Sequence, residues 1–167
     1  MNSLKISLFT ALAFILSINS IGQTSEKEYK ASMHGWEVNL EEAQALSVKT
    51  GKPILANFTG TDWCGWCMRL KRDVFVTAEF IEWANENFIL LELDFPRKFK
   101  VPENIAKQNA GLAQAFGVRG YPTIWVFTIS TNSETNKTEI NGLAKTGYVA
   151  GGAKAWIKDL ESKMNQE

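Results

Sequence analysis

The sequence predicts an α/β layer sandwich, and three observations carry that prediction. Short apolar runs bounded by turn residues, 53–58 (PILANF) and 88–93 (FILLEL), have the length and composition of buried strands. Stretches of helical spacing precede, separate and follow them. A third apolar run, 123–129 (TIWVFTI), leads through a polar turn at 130–137 into a returning strand at 138–146, the pattern of an antiparallel pair. A chain of 167 residues suffices for one core without covalent staples, so its two cysteines are not needed as scaffold. Lys plus Arg equals Asp plus Glu at 18 each, with one histidine, which gives no global field for nucleic acid or an anionic membrane.

Each element has its own justification. Lys5 is the only charge before Glu26, and the apolar run 6–18 falls short of the roughly 20 residues that span a bilayer. Ser20 and Gly22 supply the small residues of a signal-peptidase site. Residues 1–22 therefore read as a signal peptide, 23–33 as a polar lead-in and 34–167 as the folded domain, with an uncleaved membrane anchor as the alternative. Export places the cysteines where disulfides form and persist. Residues 34–38 read as a short edge strand with Trp36 packed inward. Asn39, with Glu42 three positions on, forms a capping box for a helix carrying Leu40, Ala43, Ala45 and Leu46, which Gly51 and Pro53 end. Cys64 opens a second helix that restarts at Thr77, a good cap for 78–87. Two prolines and an irregular pattern make 95–108 a long loop that leads into a helix at 105–116, ended by Gly117. The closing helix, 153–164, offers Ala155, Trp156, Ile157 and Leu160 for burial.

The chemistry lies in Trp63-Cys64-Gly65-Trp66-Cys67. Cysteines at i and i+3 share one helix face, so a disulfide between them demands little adjustment. At the start of a helix, free N–H groups and the positive end of the dipole favour a thiolate at Cys64, making it the attacking group. Cys67, one turn in and less exposed, is placed to resolve a mixed disulfide formed by Cys64. A zinc site needs about four ligands, and beyond the two cysteines only the distant His34 is on offer. Haem attachment wants histidine where Met68 stands. A structural disulfide closing so short a loop constrains the unfolded chain very little. A cysteine protease needs a histidine beside the thiolate, and His34 is the single candidate. The second informative segment is Gly120-Tyr121-Pro122-Thr123, just before a buried strand. On its own it suits a trans turn, although a cis bond at X–Pro costs only about 0.5–1 kcal/mol.

Together, WCGWC and the Gly-Tyr-Pro-Thr turn resemble the thioredoxin superfamily, over nearly the whole of residues 36–160. Residues 51–55, 58–64, Met68, Val74 and Phe75 are similar to the secreted thioredoxin-like group and, through it, to the C-terminal thioredoxin domain of the periplasmic transmembrane electron transporter. The resemblance implies a central mixed β-sheet flanked by helices, a three-layer sandwich. It implies Cys64 as nucleophile, Cys67 as resolving cysteine, and Pro122 as a cis-proline facing them. The backbone of Tyr121 would pair with an extended substrate strand, and Gly65 and Thr123 would help shape the site.

Two departures stand out. The family's buried aspartate behind the resolving cysteine is replaced here by Asn57, and the lysine that accompanies it falls near Leu90. An amide cannot take a proton, so water, or Glu92 if it points inward, must serve. The link from Asp94 to Pro122 is longer than usual and carries Arg97, Lys98, Lys100 and Lys107, with Phe95 and Phe99 among them; it reads as a solvated excursion or a partner contact. Gly65 and Trp66 put no cation between the cysteines, which places the pair toward the reducing end. Trp63, Trp66 and Tyr121 would form an apolar collar for extended polypeptide. The expected function is an exported, periplasmic or extracellular thiol–disulfide oxidoreductase that reduces or isomerises protein disulfides. It would need no cofactor beyond the Cys64/Cys67 disulfide, and its partners would be protein thiols and a thiol electron donor, membrane-bound donors included. A thiol oxidase and a non-catalytic binding module or chaperone are the alternatives.

Overall fold

A computed structural model describes residues 29–131 and 138–166. The expected signal peptide, the start of the lead-in and the centre of the 130–137 turn lie outside the described residues. The elements run α1 (Leu40–Thr50), β1 (Ile54–Thr59), α2 (Gly65–Leu70), a π-helical turn (Lys71–Phe75), α3 (Ala78–Asn87), β2 (Ile89–Asp94), α4 (Glu103–Ala115), β3 (Thr123–Thr131), β4 (Thr138–Thr146) and α5 (Gly152–Met164). The sheet order is β2-β1-β3-β4, with β1 and β2 parallel and the other neighbours antiparallel.

Alternation along the strands divides the core in two. Ile54, Ala56 and Phe58 pack with Leu91, Leu93, Ala43 and Leu112 under α1 and α4. Leu55 and Leu90 point the other way, joining Leu70, Phe75, Phe80, Trp156 and Leu160 beneath α2, α3 and α5. This is the expected three-layer sandwich. The parallel register sets Leu55, Asn57 and Thr59 opposite Leu90, Glu92 and Asp94, so one polar row on the sheet faces α2.

Several expectations are corrected. Residues 34–38 form no strand; Glu37 makes a single bridge to Leu91, after a turn at Gly35, while Trp36 is buried as expected. Residues 29–33, read as lead-in, pack on the fold, with Met33 buried in the core. Asn39 caps α1 through the Glu41 N–H, and Leu46 is exposed. Helix α4 begins at Glu103, two residues before the expected 105, so the connection that leads into it runs only from 95 to 102; Ile105, Asn109 and Leu112 carry its buried face. In α5, Ala153 rather than Ala155 is buried.

Candidate active site

The site is assembled at the C-terminal end of β1. After Thr59 the chain turns at Gly60, whose carbonyl accepts the Cys64 N–H at 2.9 Å. A Cβ at Gly60 would lie 2.5 Å from the Trp63 ring, so only glycine lets that indole rest on the backbone. Cys64 is the N-cap of α2, and the Cys67 N–H donates to its Sγ at 3.2 Å. The two cysteines form a disulfide with a Cα separation of 5.2 Å. Cys67 was expected to be the less exposed of the pair. It is so only by a narrow margin, since both are buried, with 6% exposed for Cys64 and 5% for Cys67.

The collar is built from aromatics, each with its own anchor. Trp63 Nε1 donates to the Phe95 carbonyl at 2.8 Å, and its ring meets Tyr121 edge-on at 5.7 Å. The Arg97 guanidinium lies 3.8 Å from the centre of the Trp63 ring. Trp66 is 55% exposed, flanked by Tyr148 and by Arg69 at 4.9 Å. Asp62 holds the 95–102 loop by accepting the N–H groups of Arg97 and Lys98. Burial of Asp62 opposes ionisation, but those backbone bonds together outweigh it and keep the carboxyl below its usual range. The Tyr121–Pro122 peptide is cis, and Thr123 Oγ1 donates to the Gly120 carbonyl at 2.8 Å.

Behind Cys67 lies a small cavity lined by Asn57, Thr59, Thr61, Cys67, Met68, Lys71 and Glu92, with Ser32 and Met33 closing it from the N-terminal segment. Asn57 is buried, and its Oδ1 has no hydrogen-bond partner. Its register neighbour is Glu92, not Leu90, and Glu92 does point inward. Burial pushes the Glu92 carboxyl above the ordinary carboxylate range, with the bonds from Ser32 only partly offsetting it. Sequence reasoning missed Ser32 and Lys71. Helical spacing from Cys67 could have found Lys71, whereas nothing in the sequence marks Ser32. Among the described residues, no group of three or more His, Cys, Asp or Glu is arranged to hold a metal.

A disulfide across Cys-x-x-Cys at a helix start, on a four-stranded sheet of this order, defines the class: a thioredoxin-fold thiol–disulfide oxidoreductase. A family model described as Thioredoxin-like domain matches residues 40–145, and the chain belongs to that family. It is 31% identical to the disulfide bond reductase DsbH of Chlamydia pneumoniae over 129 residues, 77% of this chain and 72% of that protein. It is 27% identical to the thioredoxin-related protein DsbJ of the same organism over 71% of this chain, which spans 33% of that longer protein. Among solved structures, a DsbH oxidoreductase superposes with a TM-score of 0.66 at 30% identity, covering 79% of this chain and 85% of that one. A thioredoxin from Thermus thermophilus shares the fold, with a TM-score of 0.51 at 15% identity over 74% of this chain and 82% of that one.

Proposed function

We propose that the protein is an exported reductant of protein disulfides, with disulfide isomerisation as the same chemistry run on a client that has another thiol to offer. The observation that carries this reading is the cap geometry: Cys64 Sγ already accepts the Cys67 N–H at the start of α2, which favours a thiolate there. Cys64 attacks a client disulfide, forming a mixed disulfide and releasing one client thiolate. Cys67 then attacks Cys64 Sγ, closing the bond present in this structure and releasing the second client thiol. A dithiol donor, membrane-bound donors included, returns the pair to the reduced form. The uncharged Gly65-Trp66 insert supports the reducing direction, as does the likeness to a protein named a disulfide bond reductase. The apolar run at 6–18 supports export, and among the described residues no helix is long and apolar enough to cross a membrane. The exposed Trp66 and the Tyr121 backbone beside Pro122 would receive an extended client segment.

The test is to express the Cys67→Ala variant in cells and identify proteins trapped on Cys64 by mass spectrometry. Recovery of clients and of a thiol donor is the expected result. A variant that expresses normally and traps nothing, together with a Cys64→Ser variant that keeps full function, would identify a binding module instead.

A further inference from the structure

The cavity behind Cys67 contains an acid that the exchange steps above leave unused. Its volume is about 30 Å³, and a water needs roughly 10–15 Å³ of such space. Glu92, 2% exposed, lines it from β2, directly opposite Asn57. Both carboxylate oxygens are held by one residue: Ser32 N–H donates to Oε1 and Ser32 Oγ to Oε2, each at 2.7 Å. Asn57 Oδ1 faces no donor and cannot accept a proton itself. A water in the cavity would donate one hydrogen to Asn57 Oδ1 and keep its second hydrogen and lone pairs for Glu92 and Cys67. We propose that Glu92 is the proton acceptor for Cys67, reached through one water in this cavity. The proposal rests on Cys64 and Cys67 being the exchanging pair.

The step balances as follows. The Cys67 S–H proton passes through the water to the Glu92 carboxylate as Cys67 Sγ attacks Cys64 Sγ. The Cys64–Cys67 bond forms, the bond from Cys64 to the client sulfur breaks, and the client leaves as a thiolate that solvent protonates. The enzyme pair is oxidised and the client reduced by two electrons. An external dithiol reverses this, and Glu92 returns the proton. The charged and titratable groups around Glu92 are Lys71 from the π-helical turn, Asp94 from β2, Tyr29 from the N-terminal segment and Cys67 itself. The Lys71 ammonium is bonded to Ser32 through both its carbonyl and its hydroxyl, so it steadies the residue that holds Glu92. Burial raises the proton affinity of Glu92, Asp94 adds to it, and Ser32 and Lys71 oppose. A carboxyl raised in this way is better matched to a thiol than an ordinary one.

The test mixes reduced protein with oxidised glutathione and follows release of both glutathione thiols from about pH 5 to about pH 9. The first release reports attack by Cys64 and the second reports resolution by Cys67. In Glu92→Gln, the second release should slow roughly 10²-fold at neutral pH relative to the first, and its inflection should give way to a steady rise with hydroxide. Glu92→Asp should recover part of the rate. A Glu92→Gln protein with the wild-type rate and profile overturns the proposal. Should Glu92→Gln not fold, Ser32→Ala carries the test: losing one hydrogen bond to the carboxylate moves the inflection upward, and an unmoved inflection overturns the proposal. A wild type that resolves glutathione yet reduces no protein disulfide overturns the proposed function and leaves Glu92 in place. A wild type that releases no glutathione overturns both.

Discussion

Asn57 and Glu92 form a register pair in which one side chain is an amide and the other an acid. Replacing Asn57 by Asp sets two carboxyls side by side in a buried row, where both cannot ionise without a large penalty. One of them is then held protonated to higher pH in the folded protein than in the unfolded chain. Stability from such a group is complete below the ordinary carboxyl range and is lost as pH rises through the raised folded value. Asn57→Asp should therefore melt below wild type at alkaline pH, with the gap closing on acidification; a gap constant across pH would refute the contact. Both residues were legible in the sequence, Asn57 as the amide standing for an acid and Glu92 as the inward candidate. Their pairing was not. A parallel pair is joined by a crossover rather than a tight turn, so no turn fixes its register, and two apolar runs carry no mark of which residue meets which.

At the scale of elements, the 95–102 loop is tied to the site rather than free of it. Asp62 accepts its backbone N–H groups, Phe95 takes the Trp63 indole bond, and Arg97 covers the same ring. Asp62→Ala removes the acceptor, and hydrogen exchange at the Arg97 and Lys98 amides should then speed up by about tenfold or more. Unchanged exchange would mean the loop is held by the arginine stack alone. The basic character of this loop was plain in the sequence. Its tether was not, because Asp62 reads as one more polar residue before the cysteines. Element ends failed for similar reasons: α4 opens on polar Glu103 and Asn104, so its apolar pattern becomes visible only at Ile105. The π-helical turn leaves no signature in 71–75, since a one-residue change of period over five residues is within the noise of any apolar pattern.

The whole molecule rests on two apolar layers, and Trp156 anchors the larger. It is fully buried, meets Phe75, Phe80 and Trp83, and donates its indole N–H to the Gly147 carbonyl at 2.9 Å. Trp156→Ala should cost about 3–5 kcal/mol, measured by denaturant unfolding. The pH dependence of stability has opposing arms. Burial opposes ionisation of Asp159, but hydrogen bonds from Lys163 and Thr146 together lower its pKa, so its contribution is present above the ordinary carboxyl range and lost on acidification. Glu92, raised by burial, contributes in the opposite sense, its share being lost as pH rises through the folded value. Glu92→Gln should gain on wild type in thermal melts as pH rises, and a difference independent of pH would refute this. The architecture was legible because alternating strands and capped helices agree along the chain. The N-terminal segment was not, because residues 29–33 have no helical or strand periodicity and dock through scattered contacts, Met33 in the core and Ser32 at Glu92. That docking has a consequence for the order of assembly. Ser32 is synthesised early, yet its partner Glu92 lies 60 residues further along the chain. A nascent chain therefore carries both cysteines before the floor beneath Cys67 exists, and rapid resolution arrives only when the last wall of its cavity has been made.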